Sequence, residues 1–231
     1  IFILLLNIFN KSKILSRRAK FKILNEIEVL SKLRNDFCTQ IYDAFETDTH
    51  ILIVMEYICG DLLGYIRKRG KISDNSSKII FTQIIKGLQY IHSKKIVHRD
   101  IKLDNILIDL SNTVKICDFG VSRILHPGDI MFENCGTPAY IPPEIYKNQG
   151  YFGYSCDIWS AGVTLYYMLA GEQPFKGEKI DDIKENILKG VFEFIPDISM
   201  NAKNLLQRML ELDHEKRIPI NQILKNTWLK G

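Results

Sequence analysis

Two periods of hydrophobic and polar residues alternate along this chain, and each change of period marks a new element. Ile1–Phe9 is a nine-residue apolar run broken only by Asn7. It falls well short of the ~20 residues that cross a bilayer, so the run predicts a strand and no membrane span. From about Ser16 to Arg34 the period lengthens, and Ile23, Ile27 and Leu30 recur as the buried stripe of a helix. Glu26 lies on the edge of that stripe, whereas Glu28 falls with Asn25 and Lys32 on the face turned to water. Gln40–Phe45 and Ile51–Met55 read as two strands around a polar turn at Thr47–His50.

Beyond Ser73 the pattern is mostly helical. Ser73 and Asp74 offer N-cap oxygens, and Ile80, Ile84, Leu88 and Ile91 trace the buried face of a long helix. Ile106–Ile108 and Val114–Ile116 flank a turn at Asp109–Thr113 and predict a hairpin. Asp157–Ala170 is apolar almost all round, which predicts a helix buried on every side and stopped by Gly171. A short sheet followed by many helices makes the fold class α+β.

Composition adds exclusions more than identities. The 231 residues are 46% hydrophobic and 25% charged, enough for a sizeable core, and a net charge of +4 gives no case for nucleic acid. The basic run Lys11–Lys22 is expected to be the solvated face of a helix. Five cysteines, an odd number without metal-ligand spacing, fit reduced intracellular thiols. Among them Cys117 is expected to be a small buried core residue rather than a reactive thiol.

Chemistry concentrates around the hairpin. His98-Arg99-Asp100-Ile101-Lys102-Leu103-Asp104-Asn105 leads into its first strand, and Asp118-Phe119-Gly120 follows its second. Folding the hairpin back brings Asp100, Asn105 and Asp118 together, and two carboxylates with an amide suit a divalent cation that prefers oxygen.

These segments resemble the catalytic loop and metal-binding motif of eukaryotic protein kinases, H-R-D-x-x-x-x-N and then D-F-G. The resemblance implies a bilobal fold, with a partial small lobe over residues 1–57 and a mainly helical large lobe over 58–231. It also implies a serine/threonine protein kinase that uses ATP and Mg²⁺. Asp100 would orient the attacking hydroxyl, Lys102 would contact the transferred phosphate, and Asn105 and Asp118 would hold Mg²⁺. Met55 would be the gatekeeper, with adenine bonded to the backbone of Glu56 and Ile58 and with Leu107 and Asp118 lining the same pocket.

Cys-Gly-Thr-Pro-Ala-Tyr-Ile-Pro-Pro-Glu (135–144) resembles the end of the family's activation segment, after a loop at Val121–Asn134 that contains Pro127-Gly128. There Thr137 would bond near Asp100 and Lys102. Glu133 occupies the place of a phosphorylated threonine opposite Arg99, and Glu144 would form a buried pair with Arg217. Glu26 matches the ion-pairing glutamate of the regulatory helix. Leu30, Ile41, His98 and Phe119 match a stacked internal column with Asp157 at its base. Asp157 is read both as a helix cap and as an anchor for the catalytic-loop backbone. Asp61 and Asp104 would flank the peptide groove and favour arginine upstream of the target, mildly, since Tyr167 stands where strongly arginine-directed relatives carry glutamate. The likeness runs from residue 4 to 228 and is nearest to the calcium/calmodulin-dependent group.

Two departures stand beside it. No G-x-G-x-x-G precedes the hinge, and the register puts Asn7 where the nucleotide-binding lysine belongs. Without that cation, Glu26 is expected to swing to solvent or to take up a proton. With Ile1 in place of a methionine, these features lead to the expectation of an N-terminally truncated chain. The alternative to an active enzyme is a kinase-like scaffolding module, or pseudokinase. A monomer in the cytoplasm, acting on serine and threonine residues of proteins, completes the expectation.

Overall fold

The computed structural model describes residues 3–126, 128–148 and 150–230; the expectations that fall on Ile1, Phe2 and Pro127 lie outside the described residues. The fold is α+β, with a small sheet-bearing part and a larger helical part. Strands β1 (Leu4–Asn10), β2 (Ile41–Glu46) and β3 (His50–Glu56) form one antiparallel sheet in the order β1-β3-β2. In the central strand Ile51, Ile53 and Met55 are buried, the period-2 signature of a sheet with one face in the core. Helix α1 (Arg17–Ser31) shares that core through Ile23, Val29 and Leu30. Ser16 caps it by accepting from the Ala19 N–H at 3.1 Å.

Helix α1 ends three residues before Arg34, because Leu33 N–H turns back to Leu30 O and Arg34 N–H donates instead to the Tyr90 hydroxyl. The basic run is also split. Lys11–Lys13 form a single 3-10 turn, with Lys11 paired to Glu46 at 2.6 Å, and only the residues from Arg17 onward are helical.

The helical part is punctuated by side-chain caps, of which Ser73 was expected and Asp61 was not. Asp61 caps α2 (Leu62–Arg69) through the Gly64 N–H at 2.7 Å, and Ser73 caps α3 (Asp74–Ser93). Ile80, Ile84, Leu88 and Ile91 of α3 are all buried, each worth roughly 2 kcal/mol of transfer free energy. After β4 (Ile96–Val97), strands β5 (Ile106–Ile108) and β6 (Val114–Ile116) form the expected hairpin. A short strand, β7 (Arg123–Ile124), pairs with β4, which the loop expected at 121–134 did not foresee.

Helix α4 (Pro143–Tyr146) then leads to α5 (Gly153–Ala170), buried along nearly its whole length. It starts four residues before Asp157, and that start is silent in the sequence because Phe152, at the N-cap, has no side-chain acceptor. Gly171 ends it in the left-handed conformation at φ 79°. Helices α6 (Ile180–Lys189), α7 (Met200–Met209), α8 (Ile220–Ile223) and α9 (Thr227–Lys230) complete the chain. Among the described residues no helix is long and apolar enough to cross a membrane.

Candidate active site

The centre of the molecule is held by one buried carboxylate. Asp157 Oδ2 accepts from His98 N at 2.9 Å, and its Oδ1 accepts from Arg99 N at 2.8 Å. His92 Nε2 lies 2.9 Å from the same Oδ2, a partner that the sequence did not suggest. Since α5 begins at Gly153, Asp157 does not cap that helix, and of its two readings the backbone anchor is the one realised. Its two bonds fix Arg99 at φ 68°, a conformation that costs a non-glycine residue about 1 kcal/mol. His98 is fully buried and edge-on to Phe119, with ring centroids 4.9 Å apart, and Leu30 and Ile41 are buried as the column requires.

That anchored turn presents Asp100 to a compact network. Thr137 donates to Asp100 Oδ1 from its N–H at 3.1 Å and from its hydroxyl at 2.9 Å. Lys102 Nζ reaches Asp100 Oδ2 and Thr137 Oγ1, each at 2.9 Å. Burial works against the Asp100 carboxylate, but the Lys102 ammonium and the Thr137 hydroxyl outweigh it and hold its pKa below the ordinary value. Asp100 is therefore an ionised acceptor at neutral pH.

Asn105 is buried and donates through Nδ2 to Asp100 O at 2.8 Å and to Asp100 Oδ2 at 3.2 Å. With Nδ2 fixed, its carbonyl Oδ1 is left as the free acceptor. Asp118 sits at φ 63° at the end of the hairpin, where Oδ1 accepts from Gly120 N at 3.3 Å. Among the described residues no group of three His, Cys, Asp or Glu side chains makes a metal site by itself. An amide oxygen with one carboxylate is instead the sparse, all-oxygen donor set that leaves Mg²⁺ its waters and substrate phosphates, so the residues fit that ion.

Glu26 faces this site from α1. Burial first, and the Asp118 carboxylate second, raise its pKa from 4.5 to about 7, and no cation offsets them. Of its two expected responses, proton uptake is the one the structure favours, because Glu26 stays half-buried beside Asp118 rather than turned out to solvent. Asn7 pairs with Ile53 in the sheet, and its Nδ2 contacts Met55 Sδ at 3.4 Å. The Glu56 carboxylate is engaged by Lys115 at 3.1 Å, and Leu107 and Asp61 form an isolated β-bridge.

The segment that follows Asp118 carries a charge pair. Arg123 Nη1 donates to Glu133 at 2.5 Å, while Arg99 Nη1 lies 3.9 Å away and makes no hydrogen bond among the described residues. Arg99 was the partner expected from the sequence; Arg123, on β7, is the closer one and was missed. Burial opposes ionisation of Glu133, but the Phe132 and Glu133 amides with Arg123 and Arg99 prevail and lower its pKa. A cavity of about 660 Å³ opens beside this pair, lined by Arg18, Lys22, Asn25 and Arg99 among others.

Asn25 departs from the polar face expected for it. Its Nδ2 donates to Phe119 O at 3.0 Å, Gly120 O at 3.4 Å and Ser122 O at 2.9 Å, rather than facing water. Glu28 does face water, paired with Lys32 at 2.7 Å. Burial pushes the Cys117 thiol up to about 12, with Asp118 adding to it, so it is a poor nucleophile. Glu144 and Arg217 form the expected pair, bidentate at 2.7 and 3.0 Å and buried on both sides.

Comparison with known proteins gives one family. The protein kinase domain model matches residues 5–229. The chain is 38% identical to an SNF1-related protein kinase catalytic subunit alpha, KIN12, of Arabidopsis thaliana, over 98% of this chain and 46% of that protein. It is 35% identical to the serine/threonine protein kinase OSK3 of Oryza sativa, over 97% of this chain and 44% of that protein. A carbon catabolite-derepressing protein kinase of Candida albicans is 38% identical over 97% of this chain and 36% of its own length. The chain thus spans less than half the length of these curated relatives. One of these relatives is named SNF1-related, another a serine/threonine kinase, and none of the three a calcium/calmodulin-dependent kinase, so the serine/threonine kinase part of the expected resemblance stands and the finer group does not follow from them; they lend the scaffolding alternative no support.

Proposed function

The chain belongs to the protein kinase domain family, and on that premise we propose that its parent protein transfers the γ-phosphate of ATP to serine and threonine hydroxyls of proteins. The observation that carries this reading is the bonded set of Asp100, Lys102 and Thr137 beside Asn105. The acceptor oxygen attacks the γ-phosphorus, the bond to the β–γ bridging oxygen of ADP breaks, and the hydroxyl proton passes to ionised Asp100. Lys102, already between Asp100 and Thr137, is placed to meet the negative charge of the transferred group. Asn105 Oδ1 and Asp118 would hold Mg²⁺, which neutralises charge across the phosphates when bound.

In this reading residues 1–57 form the small-lobe side of the nucleotide cleft and 58–231 the large lobe. Adenine lies against Met55 and Leu107 and bonds the backbone of Glu56 and Ile58. Asp104 is exposed, and Asp61 keeps a second carboxylate oxygen free while Oδ1 caps α2, which supports a mild preference for arginine upstream of the target. Five free thiols support a reducing compartment such as the cytoplasm.

Phosphorylation of a serine peptide library by the intact protein tests the reading, with turnover in the ~1–100 s⁻¹ range of kinases. Asp100→Asn is expected to abolish transfer. An Asp100→Asn protein as fast as the parent removes the catalytic role from that carboxylate, and a proline-directed or acidic peptide preference removes the role given to Asp61 and Asp104.

A further inference from the structure

Helix α1 stays inward although its glutamate lacks a cation, and something else must hold it. Beside the shared apolar core, the hydrogen-bonded contact that crosses from α1 to the Asp118 loop is the Asn25 amide. Its two N–H bonds are shared among three main-chain carbonyls, those of Phe119, Gly120 and Ser122. Only the NH₂ end of an amide satisfies three oxygens, so the orientation of the side chain is fixed by its surroundings. Close packing supports the same junction: a Cβ built on Gly120 would lie 3.7 Å from both the Cβ and the carbonyl oxygen of Lys22 on α1. Phe119, whose carbonyl is one of the three, is itself fully buried against His98.

We propose that Asn25 is the positioning residue that latches α1 to the segment after Asp118, keeping the helix inward and Asp118 in place without the lysine–glutamate pair. The proposal rests on the kinase reading for its purpose but not for its geometry. Amide-to-carbonyl bonds are neutral, so the latch is insensitive to the ionisation of Glu26. It acts on main chain, and it therefore constrains the path of residues 119–122 whatever their side chains do. Asp118, next in the chain and in a strained left-handed conformation, inherits that constraint.

Hydrogen exchange on the 231-residue chain tests the latch without turnover, so failure of the kinase reading leaves the result interpretable. Asn25→Asp keeps the shape but replaces both donors with an acceptor facing carbonyl oxygens. Exchange is expected to rise at least tenfold in segments 17–31 and 119–124 and to stay within twofold in α5. Asn25→Gln, which retains the amide, should lie nearer the parent than Asn25→Asp does. In the unmodified chain, the Asn25 side-chain amide protons should exchange at least tenfold more slowly than those of exposed Asn112. Unchanged exchange in either segment, a uniform rise across the chain, or a fast-exchanging Asn25 amide overturns the latch.

Discussion

Glu26 should make this domain less stable as the pH rises through neutrality, and removing its charge should reverse that. A carboxyl group whose pKa is about 7 in the folded state and 4.5 in the unfolded state holds its proton more tightly when folded. Below pH 4.5 both states are protonated and Glu26 costs nothing. Between 4.5 and about 7 the unfolded state loses its proton first, so stability falls with rising pH. Above that window the loss is constant. A shift of this size, at 1.36 kcal/mol per pH unit, corresponds to about 3 kcal/mol. That is large against the 5–15 kcal/mol by which domains are usually stable.

Glu26→Gln replaces the carboxyl group by a neutral group of the same shape. It should leave stability unchanged at pH 4.5 and raise it by about 3 kcal/mol at pH 8. Urea unfolding read by tryptophan fluorescence is suitable, because Trp159 and Trp228 are both buried. With a urea slope of roughly 3 kcal/mol per molar, the midpoint at pH 8 should rise by about 1 M. Asn7→Lys should flatten the same pH dependence by supplying a cation, and the two substitutions together should give less than the sum of each. If Glu26→Gln lowers the midpoint at pH 8, or if parent and variant lose equal stability between pH 5 and 8, the Glu26 carboxyl is not the source.

Three further outcomes can be checked directly. Mg·ATP should barely move the melting temperature of residues 1–231, since a ligand held near its own concentration adds only about 0.4 kcal/mol; micromolar affinity in a thermal-shift titration would refute the role given to Asn7. Phosphatase treatment of the intact protein should leave its activity unchanged, because Glu133 already faces Arg123 and Arg99, and Glu133→Gln should loosen 121–134 by less than about 1 kcal/mol; silencing by phosphatase, with the lost phosphate mapped to 121–134, would contradict this. Arg217→Met should cost about 3–5 kcal/mol in chemical unfolding by leaving the Glu144 carboxylate buried and alone, and Arg217→Met with Glu144→Leu should recover much of it; a loss below 1 kcal/mol would mean the pair is not structural.

What could be read from the sequence was what local chemistry dictates. The α3 stripe and the Ser73 cap are short-range patterns, and both stand. The β5–β6 hairpin is likewise a short-range pattern, and it carried Asp118 to Asp100 and Asn105 without any knowledge of the rest of the fold. Gly171 stopped α5 as expected, but the start of that helix was hidden because Phe152 offers no capping atom. Periodicity located the body of each helix and lost the ends that tertiary bonds decide, as Arg34 shows by donating to Tyr90.

Side chains that bond to distant main chain carry no periodic signal at all. His92 on Asp157 and Asn25 on the Phe119–Ser122 carbonyls are of this kind, and both were missed. Asparagine beside Glu28 and Lys32 looks like a polar face, yet the helix turns there against another segment's backbone. The same blindness explains why the absent lysine at position 7 suggested a helix free to swing outward. Glu26 taken with position 7 alone shows only a missing cation. The structure adds a neutral contact one residue earlier in the chain, and protonation lowers the cost of keeping Glu26 inside. An inward helix and an unpaired, half-buried glutamate are therefore compatible, provided that hydrogen bonds to main chain carry the attachment and the carboxyl group is free to be neutral.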